Sequence, residues 1–291
     1  MNKGIWYAFG AYALWGLFPV YWKWLKHVPA IQVIGHRIVW SFIFLLVIIS
    51  VTQKWTQFRL LLSRRVLAVY LLSSALLSVN WFVYVWGVNA GFIVETSLGY
   101  FINPLLSVLL GMIFLKERLR AWQWLPIGLA AAGVAYLTWA YGSLPWIALT
   151  LAFSFGFYGL VKKVAPLGSL FGLTLETGLA FVPAIGYLLF AEVSGIGAFG
   201  HTGLQADLLL IGAGVVTSVP LLMFASAAQR IPLTMVGIMQ YIAPTIQFLI
   251  GVFVFKEAFT STKFIGFSMV WVALLIFWLE SVLARRGQKT A

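Results

Sequence analysis

An all-α membrane fold of ten transmembrane helices, arranged as two inverted-topology five-helix repeats, is the class the sequence predicts. Three observations carry it: a composition too apolar for a soluble core, apolar runs of about twenty residues that recur from end to end, and a match of the chain with itself at a fixed offset. Hydrophobic residues fill 62% of the 291 positions and charged residues 9%, whereas soluble domains run about half apolar and about a quarter charged. The surplus apolar surface requires lipid as its solvent. The runs are continuous rather than alternating, which argues against a β-barrel, and in lipid such a run satisfies its own backbone only as a helix.

The expected spans, in order, are 4–22, 32–52, 67–88, 95–115, 122–141, 144–161, 169–191, 207–228, 234–255 and 263–282. Span 1 follows Lys3 and contains Ala11-Tyr12-Ala13, which loosely resembles a signal-peptidase site; hydrophobicity continues to Tyr21, so the span is read as uncleaved. Span 2 carries His36 and Arg37 about two turns in, where a charge is costly and usually faces a cavity or a partner. Arg37 would attract an anionic or carbonyl-bearing group, or pair with a carboxylate; the plainer alternative is that it snorkels to the outer interface. Span 3 holds Asn80 and, with span 1, the aromatic residues Trp6, Trp15, Trp81, Tyr84 and Trp86, of which most should anchor at the interface and a few could stack on a solute. Span 4 opens at Glu95, expected as a solvated rim residue, and contains Tyr100 and Asn103-Pro104. Lys116-Glu117 ends it and, like Lys256-Glu257 at the end of span 9, is expected as a solvated rim, with gating of the cavity by pairing across it as the alternative. Span 5 is joined to span 6 by the tight turn Tyr141 to Pro145. Small residues such as Gly10, Gly16, Gly128 and Gly133 let helices approach closely. Span 7 holds Glu176, a deeply placed carboxylate that could pair with Arg37, take up a proton in a coupling cycle, or make a structural hydrogen bond. The longest connection, Glu192 to Asp207, precedes span 8 with Pro220. Span 9 carries Gln240, Tyr241, Ala243-Pro244 and Gln247 and ends at Lys256-Glu257. A proline frees a carbonyl and bends its helix, so Pro104, Pro244 and Pro220 are candidate hinges.

The net charge of +12 does not mark a nucleic-acid binder, because the basic residues sit singly or in small groups between apolar runs. With the N-terminus inside, 14 of the 19 Lys and Arg fall on the cytoplasmic side. Lys23, Lys26, Lys256 and Lys263 fall outside, and Arg37 lies within a span. That asymmetry supports ten spans with both termini cytoplasmic. Cysteine is absent, which excludes disulfides and thiolate metal sites.

Shifted by 140 residues, the chain aligns with itself. Trp6, Ala8, Gly16 and Lys23 fall on Trp146, Ala148, Gly156 and Lys163, and Ser78-Val79 falls on Ser218-Val219. Ile102, Pro104, Leu109, Gly111, Lys116 and Glu117 fall on Ile242, Pro244, Leu249, Gly251, Lys256 and Glu257. The repeats are placed at 1–141 and 142–291. Five spans per half is an odd number, so the second half enters from the opposite side. Two such halves can exchange conformations of comparable energy around a midplane site, which is the physical basis of alternating access.

The residues also resemble a family. Trp15-Gly16 and Pro19, His36-Arg37 with Trp40-Ser41, Asn80-Trp81, Ser97 to Pro104, Gly111 to Arg118, Phe157 to Val161, Val219-Pro220 and Gln240-Tyr241-Ile242 are similar to the RarD branch of the EamA-type drug/metabolite transporter superfamily. The resemblance covers nearly the whole chain. It implies a multi-pass permease of the bacterial inner membrane, with a cavity lined by spans 1–4 and 6–9 and with spans 5 and 10 peripheral. It implies no substrate.

The expected function is therefore a carrier for a small, partly apolar organic solute, working as an exporter, with a facilitative channel or a membrane-embedded enzyme as alternatives. No ring of like charges or carbonyl filter motif appears, and no HExxH, GxSxG or Walker motif. Neither cofactor nor metal is expected. The partners expected are the solute and the bilayer, with a second copy of the chain as a further candidate and no nucleic acid. The candidate solute-binding residues are Arg37, His36, Asn80, Tyr100, Asn103, Gln240, Tyr241 and Gln247, and the candidate coupling residue is Glu176.

Overall fold

A computed structural model describes residues 2–90, 92–142, 144–256 and 261–287. The described residues form helices and short connections, with no strand among them. The helices are α1 Lys3–Trp24, α2 Ala30–Val51, α3 Trp55–Leu60, α4 Arg64–Asn89, α5 Ile93–Leu115, α6 Trp124–Tyr141, α7 Trp146–Val164, α8 Ser169–Val193, α9 Leu204–Ala228, α10 Leu233–Met239, α11 Ile242–Leu249 and α12 Ser261–Gly287. A 3₁₀ turn, Ala121–Gln123, leads into α6, and a π turn, Ile250–Val254, continues α11.

Seven helical stretches are long and apolar enough to cross a membrane: 30–51, 64–87, 98–115, 146–164, 169–193, 204–228 and 233–254. α1, α6 and α12 cover the other three expected spans. α1 carries four Trp, three Tyr and two Lys in 22 residues, and such amphipathic aromatics lower its hydropathy while suiting it to an interface. Large apolar side chains face outward along the bundle, among them Ile113 at 67% and Val182 at 70% exposure, as expected of a surface solvated by lipid.

Helix ends follow local chemistry. The Asn2 side chain accepts from the Gly4 N–H at 2.9 Å and caps α1. Lys116 closes α5 in the left-handed region with φ +55°, and Lys256, its counterpart 140 residues on, has φ +57°. The α10–α11 segment is not one continuous α-helix. It is interrupted at Gln240–Tyr241, where Pro244 has no N–H for the Gln240 carbonyl and its ring crowds that carbonyl. α5 runs unbroken through Pro104 and α9 through Pro220. The short α3 was not foreseen; its Phe58 packs on Phe171 with ring centroids 5.5 Å apart.

The sense of each packed pair follows from which residues meet. α1 runs antiparallel to α9, with Gly10 at Met223 and Tyr21 Oη donating to the Leu209 carbonyl. It runs parallel to α10–α11, with Gly4 at Ile231 and Gly16 at Ile246. α5 is parallel to α7 (Gly99 at Ala148, Leu106 at Gly156) and antiparallel to α10–α11 (Phe101 at Tyr241, Gly111 at Thr234). α4 is antiparallel to α7 (Asn80 at Leu151, Gly87 at Ile147) and parallel to α8 (Tyr70 at Gly172, Ser73 at Glu176). α2 is antiparallel to α8 (Gly35 at Leu188, Phe42 at Gly178). α6 packs on α12.

Candidate functional site

Inside this bundle lies a cavity of about 260 Å³. α1 lines it with Tyr12, Trp15, Phe18, Pro19 and Trp22, α2 with Arg37, and α4 with Asn80, Trp81 and Tyr84. α5 contributes Thr96, Gly99, Tyr100 and Asn103, and α7 Leu151 and Phe155. Leu221 of α9 and Gln240, Ala243, Pro244 and Gln247 of the broken segment complete it. Four pairs of lining residues stand 140 positions apart: Trp15 and Phe155, Trp81 and Leu221, Tyr100 and Gln240, Asn103 and Ala243. α6, α8 and α12 contribute no lining residue among those described, so the peripheral placing of spans 5 and 10 holds here, while span 7 stands back from the wall.

Arg37 is the one charged lining residue among those described. Its Nε donates to Thr217 Oγ1 at 2.9 Å, and its guanidinium carbon lies 4.5 Å from the Trp81 ring centre and 4.8 Å from that of Trp22. Aromatic faces stabilise a guanidinium held away from water, more so as it is desolvated. The amides are anchored from behind. Asn80 Nδ2 donates to the Leu151 carbonyl at 2.9 Å and to Ser154 Oγ at 3.0 Å, Asn103 Nδ2 to the Ala152 carbonyl at 3.0 Å, and Gln247 Nε2 to the Trp15 carbonyl at 3.1 Å. Asn103 Oδ1 in turn accepts from Ser107 Oγ at 3.4 Å, while the amide nitrogens of Asn80 and Gln247 are the atoms held, which leaves their oxygens as acceptors. Tyr12 Oη is buried and has no hydrogen-bond partner among the described residues.

Of the expected binding residues, Arg37, Asn80, Tyr100, Asn103, Gln240 and Gln247 meet at the cavity, and Pro244 joins them. His36 and Tyr241 do not line it. His36 stacks on Phe199 at 5.1 Å, and Tyr241 Oη donates to the Phe101 carbonyl at 3.1 Å. Adjacent residues on a helix point about 100° apart, so His36 turns away when Arg37 faces in, and Tyr241 when Gln240 does. Pro104 lines a separate small apolar pocket with Tyr241, and Pro220 is buried within α9.

The expected pairing of Arg37 with Glu176 is absent. Glu176 Oε1 accepts from Lys162 Nζ at 2.8 Å and from Ser73 Oγ, and Oε2 accepts from Tyr158 Oη at 3.3 Å. Both charged side chains are 1% exposed, and the cluster ties α4, α7 and α8 together away from the cavity. Lys162 sits on α7 with its amine beside two tyrosine rings; sequence inspection had placed it on the inner surface, because a lysine at a span end ordinarily snorkels.

The two expected rim carboxylates are also corrected. Glu95 is buried at 2% exposure and accepts from the Ile147 N–H at 2.6 Å, at the start of α7. Glu117 accepts from the Leu233 and Thr234 N–H groups at 2.7 and 2.9 Å, capping α10. Free N–H groups at a helix start attract a carboxylate, and the partner helix is distant in sequence in both cases. Glu257 lies outside the described residues. Among the lining residues not expected from the sequence, Phe18, Trp22, Leu151, Phe155 and Leu221 are apolar and so look like packing, and the 140-residue offset from Trp15 and Trp81 was the signal for Phe155 and Leu221; Tyr12 and Thr96 are polar but carry no charge or proline to mark them.

Comparison with known proteins agrees with this architecture. The model of the EamA-like transporter family matches residues 2–139. The chain is 49% identical to the uncharacterized transporter YojE of Bacillus subtilis, over 99% of this chain and 98% of that one. It is 44% identical to protein RarD of Streptomyces exfoliatus, covering 99% and 92%, and 41% identical to protein RarD of Escherichia coli, covering 98% and 97%. A solved crystal structure shares the fold at a TM-score of 0.71 and 16% identity, over 98% of this chain and 99% of the other. The chain is a multi-pass membrane protein of the EamA-like transporter family, of the RarD type, and a transporter rather than an enzyme.

Proposed function

We propose that the protein is a carrier of the bacterial inner membrane that moves a small, partly apolar organic solute by alternating access, in the direction of export. The observation that carries this is a cavity walled by both halves at positions 140 residues apart. In this reading residues 1–141 and 142–291 are inverted repeats with both termini in the cytoplasm.

The helix senses support the inversion. Taking α1 as up, the packed pairs make α4, α8 and α10–α11 up, and α2, α5, α7 and α9 down. Four helices of the first half then oppose their counterparts in the second: α1 and α7, α2 and α8, α4 and α9, α5 and α10–α11. Matching contacts support it further. Gly16 meets Ile246 while Gly156 meets Leu106, and both residues of each pair shift by 140.

A carrier is favoured over a channel by what lies on either side of the cavity. On the α1–α2 loop side it adjoins a second cavity of about 620 Å³ through Trp22, Arg37 and Tyr84. Toward the opposite end, Tyr158, Phe224, Ile231 and Leu233 belong to one closed apolar core. That is an arrangement open to one side. The test is counterflow in proteoliposomes: solute loaded inside should accelerate entry of labelled solute and the flux should saturate. Flux that rises linearly with concentration and shows no counterflow would refute the carrier.

A further inference from the structure

The chain has seven carboxylate side chains, and six are described. Glu95 and Glu117 accept from helix-start N–H groups, Glu176 pairs with Lys162, Glu192 with His201 and Glu280 with Arg120, and Asp207 accepts from the Gly200 N–H. None of the six reaches Arg37. Among the described residues its one hydrogen bond is from Nε to Thr217, which leaves the terminal nitrogens without a protein acceptor. A guanidinium placed at this depth is costly unless it serves a partner, and its fork of donors matches a planar oxyanion.

The surroundings narrow the partner. The adjoining cavity adds Lys26 and His27 to Arg37, and among the described residues neither cavity is lined by a carboxylate. The approach therefore carries only positive or neutral groups, which steers an anion inward. Inside, Arg37 stands as the single cation, enough to neutralise one negative charge but not a phosphate dianion. Trp81 lies against the guanidinium itself, and the rest of the wall includes the flat apolar rings of Trp15 and Phe155.

We infer that the solute is an amphipathic organic monoanion, with a carboxylate on Arg37 and a planar apolar body among the aromatic rings. This deepens the carrier reading and rests on the cavity being the solute site. The test uses three probes with one indole body: indole-3-acetate, indole-3-acetamide and tryptamine. Binding is measured on the purified protein in nanodiscs, and flux separately in proteoliposomes. The acid should bind about tenfold or more tighter than the amide or the amine, as a charge-assisted contact requires. Arg37→Gln should erase that preference, and Arg37→Lys should keep part of it. Equal binding of the three, preference for the amine, or no binding of any overturns the inference, whether or not the Arg37 variants fold. Anion-selective binding without flux upholds the inference and refutes the carrier; flux of amide equal to that of acid does the reverse.

Discussion

The buried pair Lys162–Glu176 offers the sharpest energetic test. The ammonium and carboxylate lie 2.8 Å apart at 1% exposure each, and Ser73 and Tyr158 donate to the same carboxylate. Glu176→Leu strands the lysine. Breaking one side of a buried pair in this way costs about 3–5 kcal/mol. Lys162→Met strands the carboxylate instead, at a cost of the same order. The double substitution leaves no stranded charge. What remains is two hydroxyls deprived of an acceptor, about 1–3 kcal/mol each before they find backbone carbonyls. Unfolding in mixed detergent–SDS micelles, followed by tryptophan fluorescence, should therefore show the double variant about 4 kcal/mol more stable than the two single effects sum to. A coupling below about 1 kcal/mol would refute the view that the pair acts as one unit.

Three further outcomes are expected. Glu117→Ala removes the acceptor of the Leu233 and Thr234 N–H groups and should cost about 1–2 kcal/mol in the same unfolding assay, with Glu117→Gln losing less; an unchanged midpoint would show the cap is idle. A Cβ on Gly16 would lie 2.6 Å from Ile246 Cβ, whereas one on Gly156 would lie 3.0 Å from the mobile tip of Leu106. Gly16→Ala should thus cost about 2–3 kcal/mol and Gly156→Ala under about 1 kcal/mol, and the reverse order would contradict the packing. On the exposed α8–α9 connection, the Glu192 carboxylate accepting from His201 Nε2 raises the His201 pKa above its ordinary 6.5. A raised folded value means the contact stabilises fully below about pH 6.5 and is lost as pH rises through the folded value. Hydrogen exchange of residues 194–203 should therefore be more protected in acid than at about pH 8, and His201→Ala should abolish the difference; greater protection in base would reverse the sign.

Membrane-crossing helices were legible because lipid enforces them: seven of the expected spans are helices long and apolar enough to cross, and such runs survive in one dimension. The site was legible where a polar group stood out against apolar neighbours, as at Arg37, Asn80, Asn103 and Gln247. It was not legible to within one residue, since His36 and Gln240 have neighbours whose facing depends on helix rotation set by packing. Nor were the carboxylate partners. Glu95, Glu117 and Glu176 each bind groups brought from 52, 116 and 14 positions away, and only the assembled bundle defines those pairings. Nor was the break before Pro244 legible against the intact helix through Pro104, since both spans carry a proline at the same repeat position.

A cysteine-free chain permits the most direct test of access from both sides. Gln247 lines the cavity on the segment that carries Pro244, and Gln247→Cys gives one reactive thiol there. Labelling with a membrane-impermeant maleimide is compared in right-side-out and inverted vesicles. Modification from both faces, at different rates, is the expected result for a site exposed to each side in turn. Modification from one face alone, in protein that remains folded and transport-competent, would contradict it.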